Sequence, residues 1–161
     1  MWTGPTTPFV SARRTEQALL QVINSAEQTL YITSFVAYDV DVIVAALNNA
    51  AKRGVDIHMI LELAQFEGGS TSFDSLGTMK RLVPAAKVYA WRYRNDHFSG
   101  GKVHAKVAVA DDRVCFVTSA NLTGHAMEKN MEAGVLINGS FSATLYNHLA
   151  SLVSTNTVTE L

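Results

Sequence analysis

The feature that most constrains the fold is a helical pattern enclosed by two β-rich runs in the first half of the chain. Leu30–Phe35 and Val55–Leu61 are short apolar runs of the kind that form buried strands. Between them, apolar residues recur at helical spacing, and Gly54 supplies a helix stop. This strand-helix-strand order predicts two parallel strands joined by a right-handed crossover.

A second pair of runs predicts antiparallel strands in the same chain. Val103–Ala110 and Arg113–Thr118 are separated only by Asp111 and Asp112, a connection too short for a parallel crossover. Further strands are predicted at residues 87–91 and 133–137, and further helices at residues 15–26, 75–83 and 141–153. Together these elements predict an α/β fold, with a mixed β-sheet flanked by helices on both faces.

Length and composition limit the classes of protein that remain. The 161 residues suit one domain over residues 1–161, with residues 1–10 as a surface arm. A hydrophobic share of 48% excludes a largely disordered chain, and a net charge of -1 excludes a polycation. We find no secretory segment and no apolar run of membrane-spanning length, so we expect a cytoplasmic protein without a membrane span.

Chemistry-bearing side chains concentrate around the predicted antiparallel pair. His104 and Lys106 are two residues apart on one strand, so they project from the same face. The tight turn returns the next strand beside them, and that strand ends at Ser119 and Asn121. Lys106, Ser119 and Asn121 can donate hydrogen bonds to phosphoryl oxygens, and His104 can attack phosphorus or move a proton. The cluster therefore favours phosphodiester chemistry.

Two carboxylates accompany this cluster. Glu132 precedes the next predicted strand, and we expect it to accept a hydrogen bond from the second ring nitrogen of His104 and so fix its tautomer. Asp111 begins the turn, where we expect it to brace the turn by accepting backbone hydrogen bonds, with a direct chemical role left open. No metal-binding carboxylate cluster is apparent in the sequence, so we expect no metal and no cofactor.

These residues carry a family resemblance. His104, Lys106 and Asp111 match the H-x-K-x4-D signature of the phospholipase D superfamily, and Ser119, Asn121 and Glu132 resemble its downstream residues. The likeness extends over nearly the whole chain, except that Thr118 replaces a family glycine, which would narrow the phosphate pocket. It implies an α/β/α sandwich and catalysis through a phosphohistidine. Because the family brings two such motifs together and this chain has one, the resemblance also implies a homodimer sharing one active site.

A narrower resemblance comes from four short segments. Trp2–Pro5, Arg13–Gln17, Ser34-Phe35 and Ser119–Thr123 resemble the phospholipase D-like component of bacterial DISARM anti-phage systems. That likeness implies a role against phage DNA and, as further partners, other proteins of the defence system.

A local basic segment is consistent with DNA as the partner. Eight of the 13 Lys and Arg residues lie between Lys80 and Arg113, with three acidic residues in the same span. We expect Arg92, Arg94 and Lys102 to contact DNA phosphates, and Trp91 or Tyr93 to stack on a base if the DNA is single-stranded. A solvated strand end with ordinary packing is the alternative for these residues.

Three functions remain open. The preferred one is a metal-independent DNA nuclease. The second is a phospholipase or phosphatidyl transferase, and the third is a weakly hydrolytic DNA-binding subunit of a defence complex. Among the other histidines, His58 and His148 are interpreted as structural, whereas His97 and His125 lie in predicted loops from which they could reach the substrate.

Overall fold

The computed structural model describes residues 1–9, 11–38 and 40–161; Val10, the end of the predicted arm, lies outside the described residues. The strands are β1 (Trp2–Thr3), β2 (Thr29–Ser34), β3 (Ala37–Tyr38), β4 (Asp56–Leu61), β5 (Lys87–Ala90), β6 (Val107–Ala110), β7 (Val114–Thr118), β8 (Leu122–Thr123), β9 (Glu132–Asn138) and β10 (Thr159–Glu160). The α-helices are α1 (Thr15–Ser25), α2 (Asp41–Lys52), α3 (Ser75–Leu82), α4 (Gly124–Glu128) and α5 (Ser140–Ser154).

Eight of these strands form one mixed sheet in the order β1-β9-β7-β6-β2-β4-β5-β10. The strands β2, β4 and β5 are parallel, whereas β6, β7 and β9 pair in antiparallel fashion. The predicted parallel pair and the predicted tight hairpin are both confirmed. The parallel and the antiparallel parts of the sheet join at β2, which pairs with β4 on one side and with β6 on the other.

Helices cover both faces of the sheet, as predicted. Leu30 and Ile32 of β2 pack in a core with side chains of α1, α2 and α3. Tyr31, between them in sequence, points to the other face, where it belongs to a second cluster with Leu149 of α5. The strict alternation along β2 therefore separates a larger core under three helices from a smaller one under α5.

Three local predictions differ from the structure. The predicted surface arm contributes the edge strand β1, in which Thr3 is buried and pairs with Glu132. The strand predicted from Val103 begins only at Val107, which pairs with Thr33 near the end of β2; residues 103–106 pair with none of the strands in the described part of the chain. The short elements β3, β8, α4 and β10 were not predicted.

In the described part of the chain, no helix combines the length and the apolarity that crossing a membrane requires.

Candidate active site

His104 and Lys106 lie in an extended segment that leads into β6. The ammonium of Lys106 donates to the carbonyl oxygen of His104 at 2.7 Å, and its Nζ is 3.2 Å from Nδ1 of the same residue. Lys106 is buried, whereas His104 is exposed. The Phe35 ring lies 5.3 Å from the imidazole, centroid to centroid, at the turn after β2. The segment thus presents an accessible imidazole beside a buried positive charge.

Ser119 is carried to the same end of the sheet by β7. The backbone N–H of Thr118 donates to the carbonyl oxygen of Lys106 at 3.0 Å, which places the exposed Ser119 immediately beyond Lys106. Thr118, which stands where the family has glycine, uses its hydroxyl on backbone groups of Ala120 and Ala133.

Asn121 lies next to the turn that carries Phe35. The backbone N–H of Leu122 donates to Val36 at 3.1 Å, and the N–H of Thr123 donates to Asn121 at 2.9 Å. The side-chain oxygen of Asn121 is buried and has no hydrogen-bond partner among the described residues. A buried polar atom of this kind is commonly completed by a ligand or an ordered water.

Glu132 does not take the predicted hydrogen bond from His104. Its Oε2 accepts a hydrogen bond from the Ser119 hydroxyl, and its Oε1 accepts one from Asn130 at 3.3 Å. Glu132 still belongs to the site, because its charge acts on Lys106. Burial lowers the pKa of the Lys106 ammonium, and the negative charge of Glu132 partly opposes that shift. Ser119, rather than His104, contacts this carboxylate because β7 and β9 are adjacent in the sheet.

The contact between Lys106 and His104 has a chemical consequence. When an ammonium donates to Nδ1 of a neutral imidazole, the ring proton must sit on Nε2. In that tautomer Nε2 carries the proton and has no free lone pair, whereas attack through Nε2 requires the proton to be on Nδ1. In this arrangement the lone pair of Nε2 is not free; it becomes free when Lys106 turns to another acceptor and the ring proton moves to Nδ1.

Asp111 lies at the opposite end of β6 from Lys106. Its carboxylate accepts hydrogen bonds from the backbone N–H groups of Glu27, Gln28 and Thr29, and from Arg113. Burial alone would raise the pKa of this carboxyl, but these hydrogen bonds lower it below its ordinary value. Asp111 therefore ties its turn to the chain that leads into β2, and it is separated from the other predicted site residues by the length of β6.

Arg94, predicted to contact DNA phosphates, is paired with a carboxylate inside the protein. Its guanidinium lies 3.2 Å from the carboxylate of Glu62 and 5.0 Å from the centroid of the Trp91 ring. Glu62 is only 1% exposed, so this is a buried ion pair. Sequence reasoning missed Glu62, although an acidic residue directly after a buried strand is a detectable pattern.

The other predicted DNA contacts remain accessible. Arg92, Tyr93 and Lys102 are exposed. The Lys102 ammonium lies 6.0 Å from the centroid of the Phe35 ring, whose other neighbour is His104. Lys102 is therefore close to the candidate site.

The remaining histidines divide into one buried and three exposed residues. His58 is buried and contacts Tyr89 and Asp56, which agrees with a structural role. His97 packs edge-on against Phe98, and His125 lies in α4 rather than in the predicted loop. His148 of α5 lines an apolar hollow.

This apolar hollow, of about 470 Å³, opens beside His104 on the face covered by α5. Trp91 and Phe98 form part of its wall, and Leu145, Leu149 and Leu152 of α5 form another part. The His104 imidazole therefore lies between a polar edge, formed with Lys106, and an apolar surface.

Among residues 1–9, 11–38 and 40–161, no three His, Cys, Asp or Glu side chains cluster in a way that could hold a metal ion.

Comparison with known proteins supports the family assignment. A family model described as cardiolipin synthase, PLD-like domain, matches residues 19–153. The DISARM protein DrmC of Bacillus paralicheniformis is 28% identical over 96% of this chain and 62% of its own length. A cardiolipin synthase of Clostridium perfringens is 28% identical over 81% of this chain but only 26% of its own length. The chain thus spans less than two thirds of either relative.

Two solved structures share the fold over nearly their whole length. Nuc from Salmonella typhimurium, a phospholipase D family member, superposes with a TM-score of 0.68 at 22% identity, over 91% of this chain and 90% of Nuc. NucT from Helicobacter pylori superposes with a TM-score of 0.70 at 19% identity, over the same shares. With the family model matching most of the chain, this protein belongs to the phospholipase D-like family.

Proposed function

We propose that this protein is a metal-independent phosphodiesterase that cleaves DNA through a phosphohistidine formed on His104. The observation that carries the proposal is the contact of the buried Lys106 ammonium with His104, beside the Ser119 hydroxyl. A positive charge and a hydroxyl placed there can neutralise the phosphoryl oxygens while an imidazole attacks.

Substrate binding would free His104 for nucleophilic attack. A phosphoryl oxygen that takes the hydrogen bonds of Lys106 and Ser119 frees Nδ1 of His104 and also frees the carboxylate of Glu132. A proton on Nδ1, held by Glu132, would leave the lone pair of Nε2 for attack on phosphorus. Asn121, whose side-chain oxygen has no protein partner among the described residues, would complete the pocket.

The reaction needs a second acid-base group on the far side of phosphorus, which a homodimer would supply. One His104 bonds to phosphorus while the partner's His104 protonates the departing ester oxygen. The partner's His104 then takes a proton from water, which attacks phosphorus and breaks the phosphorus–nitrogen bond. The apolar hollow beside His104 supports this arrangement, because an interface core is built from such side chains.

DNA as the substrate is supported by the exposed cations beside the site. Arg92 and Lys102 can position phosphates without reading sequence, and the exposed Tyr93 ring can stack on a base. The similarity to DrmC supports a role in anti-phage defence, with other defence proteins as partners and the cytoplasm as its place of action.

Phosphatidyl transfer is the second candidate, favoured by the match to the cardiolipin synthase family model. Both reactions break a phosphodiester through the same residues, so the substrate distinguishes them. Turnover of single-stranded and duplex DNA should be compared with turnover of anionic phospholipid vesicles. Release of phosphatidic acid, or transfer of a phosphatidyl group, without DNA cleavage would replace the nuclease proposal with this one.

The central experiment is hydrolysis of DNA and of a chromogenic phosphodiester in the presence of EDTA. We expect activity to persist, His104→Ala to abolish the chemical step, and Lys106→Ala to lower kcat by about 100-fold or more. An acid-labile, base-stable covalent adduct of wild-type protein with the phosphoryl group and the ester that remains on it, absent from His104→Ala, would identify the phosphohistidine. Activity that disappears with EDTA and returns with magnesium would contradict the mechanism. DNA binding without turnover would indicate the weakly hydrolytic subunit instead.

A further inference from the structure

Glu62 is a buried carboxylate that immediately follows β4. Its Oε2 accepts the backbone N–H of Val103 at 2.7 Å, and its Oε1 accepts the Ser70 hydroxyl at 3.0 Å. Arg94 donates to both carboxylate oxygens, at 3.2 and 3.3 Å. These three partners come from separate stretches of the chain. A charge removed from water in this way is tolerated only while its partners stay in place.

The contact with Val103 matters because His104 is the next residue. Residues 101–106 belong to none of the described strands, so no regular ladder holds them. Side chains and the neighbouring strand hold the backbone instead. Thr33 donates through Oγ1 to Ala105 at 3.0 Å, and the N–H of Thr118 donates to Lys106 at 3.0 Å. On the N-terminal side of His104, the contact from Glu62 to Val103 provides the corresponding anchor.

We propose that Glu62 is a positioning residue that fixes the main chain at Val103 and thereby aims the His104 imidazole. The inference rests on the proposed function of His104. A carboxylate suits this task better than a neutral acceptor, because any displacement of Val103 or Arg94 would leave a buried charge incompletely paired. Displacing a reacting group by about 1 Å can reduce a rate by about 100-fold.

Two double variants separate positioning from stability. Glu62→Leu/Arg94→Leu replaces the buried ion pair with apolar side chains, which leaves no unpaired charge but removes the acceptor for Val103. Glu62→Gln/Arg94→Leu restores an oxygen that Val103 can reach, together with an amide N–H₂ beside the Ser70 hydroxyl. We expect the first to lower kcat for a chromogenic phosphodiester by about 10- to 100-fold with little change in KM, and the second to recover most of that loss.

Amide hydrogen exchange at Val103 gives a readout that does not depend on turnover. We expect Val103 to be protected in wild-type protein and in the Gln/Leu variant, and to exchange at least about tenfold faster in the Leu/Leu variant. Asp56→Asn is the matched control, since it removes a carboxylate from the start of the same strand, paired there with Lys87 at 2.8 Å. That variant should keep wild-type kcat and Val103 protection.

Equal kcat values for the two double variants, or unchanged Val103 protection in the Leu/Leu variant, would overturn the inference. If the Leu/Leu variant does not fold, Glu62→Asp replaces it, because this change keeps the charge and shortens the side chain by one methylene. Wild-type kcat and wild-type Val103 protection in Glu62→Asp would then overturn it. The proposed function fails separately, when His104→Ala retains wild-type turnover.

Discussion

The Ser119 hydroxyl donates a hydrogen bond to the carboxylate of Glu132, and this contact joins the end of β7 to the start of β9 beside Lys106. The same Oγ accepts the backbone N–H of Ala133 at 3.1 Å, and the carbonyl oxygen of Ala133, at 3.4 Å, is a second and longer acceptor for the hydroxyl. Under the proposed function, an arriving phosphoryl oxygen would compete with Glu132 for that hydroxyl hydrogen. The free site therefore holds Glu132 in a hydrogen bond that substrate binding would break.

Replacing Glu132 with glutamine should lower kcat far more than it lowers stability. Glutamine can still accept the Ser119 hydrogen bond, but it cannot stabilise a positively charged imidazole or reliably hold the Nδ1 proton. A carboxylate with this task in a catalytic triad contributes up to about 10⁴-fold, so we expect a loss between about 10²- and 10⁴-fold. Steady-state kinetics on a chromogenic diester, with Glu128→Gln as an exposed control, would measure it. A wild-type kcat for Glu132→Gln would remove Glu132 from the mechanism.

A shared active site makes activity depend on protein concentration. Dilution below the dimer dissociation constant should lower the specific activity, because each monomer has only one His104. An excess of His104→Ala protein, allowed to exchange subunits, should also inhibit the wild-type chain by trapping it in dimers with a single imidazole. Light scattering at each concentration provides the oligomeric state. Full activity from a monomer would contradict the shared site and direct attention to His97 or His125.

The sequence predicted the elements whose side-chain pattern is regular and sustained. The apolar run of β2 and the helical stripe of α2 are both visible in the sequence, and the structure confirms a strand and a helix there. The two-residue strands β1, β3, β8 and β10 could not be predicted, since they form only where a distant strand offers free backbone groups.

In the candidate site too, local features could be predicted from the sequence and contacts between distant segments could not. The convergence of Lys106 and Ser119 followed from the tight turn between β6 and β7, which is a local feature. The partners of Glu132 and Arg94 did not follow from any local feature. Each side chain had several possible partners in the sequence, and only the packing of distant segments selects one. The partners of Glu62 could not be predicted for the same reason, because they lie between eight and 41 residues away in sequence.

Asp111 should prove important for stability and unimportant for chemistry. Asp111→Asn removes the charge that three backbone N–H groups share, and we expect it to lower the free energy of unfolding by about 1–3 kcal/mol without changing kcat. Asp111 and Asp112 both have positive φ angles, of 50° and 58°, which asparagine tolerates. The exposed Asp112→Asn is therefore a matched control that leaves stability nearly unchanged.

The pH dependence of this effect has a definite sign. Because the folded-state pKa of Asp111 is lowered, its contribution is complete above the ordinary aspartate pKa and disappears as the pH falls through the folded value. Denaturant unfolding of wild type and Asp111→Asn should thus give a constant difference near neutral pH that shrinks in acid. A difference that grows as the pH falls, or a large loss of kcat at neutral pH, would contradict the structural assignment.

The path of DNA past the site can be tested at Arg92 and Lys102. Replacing either with alanine should weaken DNA binding by a similar factor for different sequences, because phosphate contacts carry no base information. Removing one phosphate contact should also reduce the slope of log affinity against log salt, by about 0.9 for duplex DNA and about 0.7 for single strands. Lys52→Ala, an exposed change in the last turn of α2, is the control.

Small chromogenic diesters separate this binding role from the chemical step. Such a substrate reaches His104 without lying along Arg92, so Arg92→Ala should hydrolyse it at the wild-type rate while losing DNA affinity. Arg94→Ala should behave differently, because it leaves the buried Glu62 carboxylate without its cationic partner. We expect it to lower stability and the hydrolysis of both DNA and the small diester. An Arg92→Ala/Lys102→Ala variant with unchanged DNA affinity and unchanged salt slope would show that these side chains face only solvent, and that DNA approaches His104 from another side.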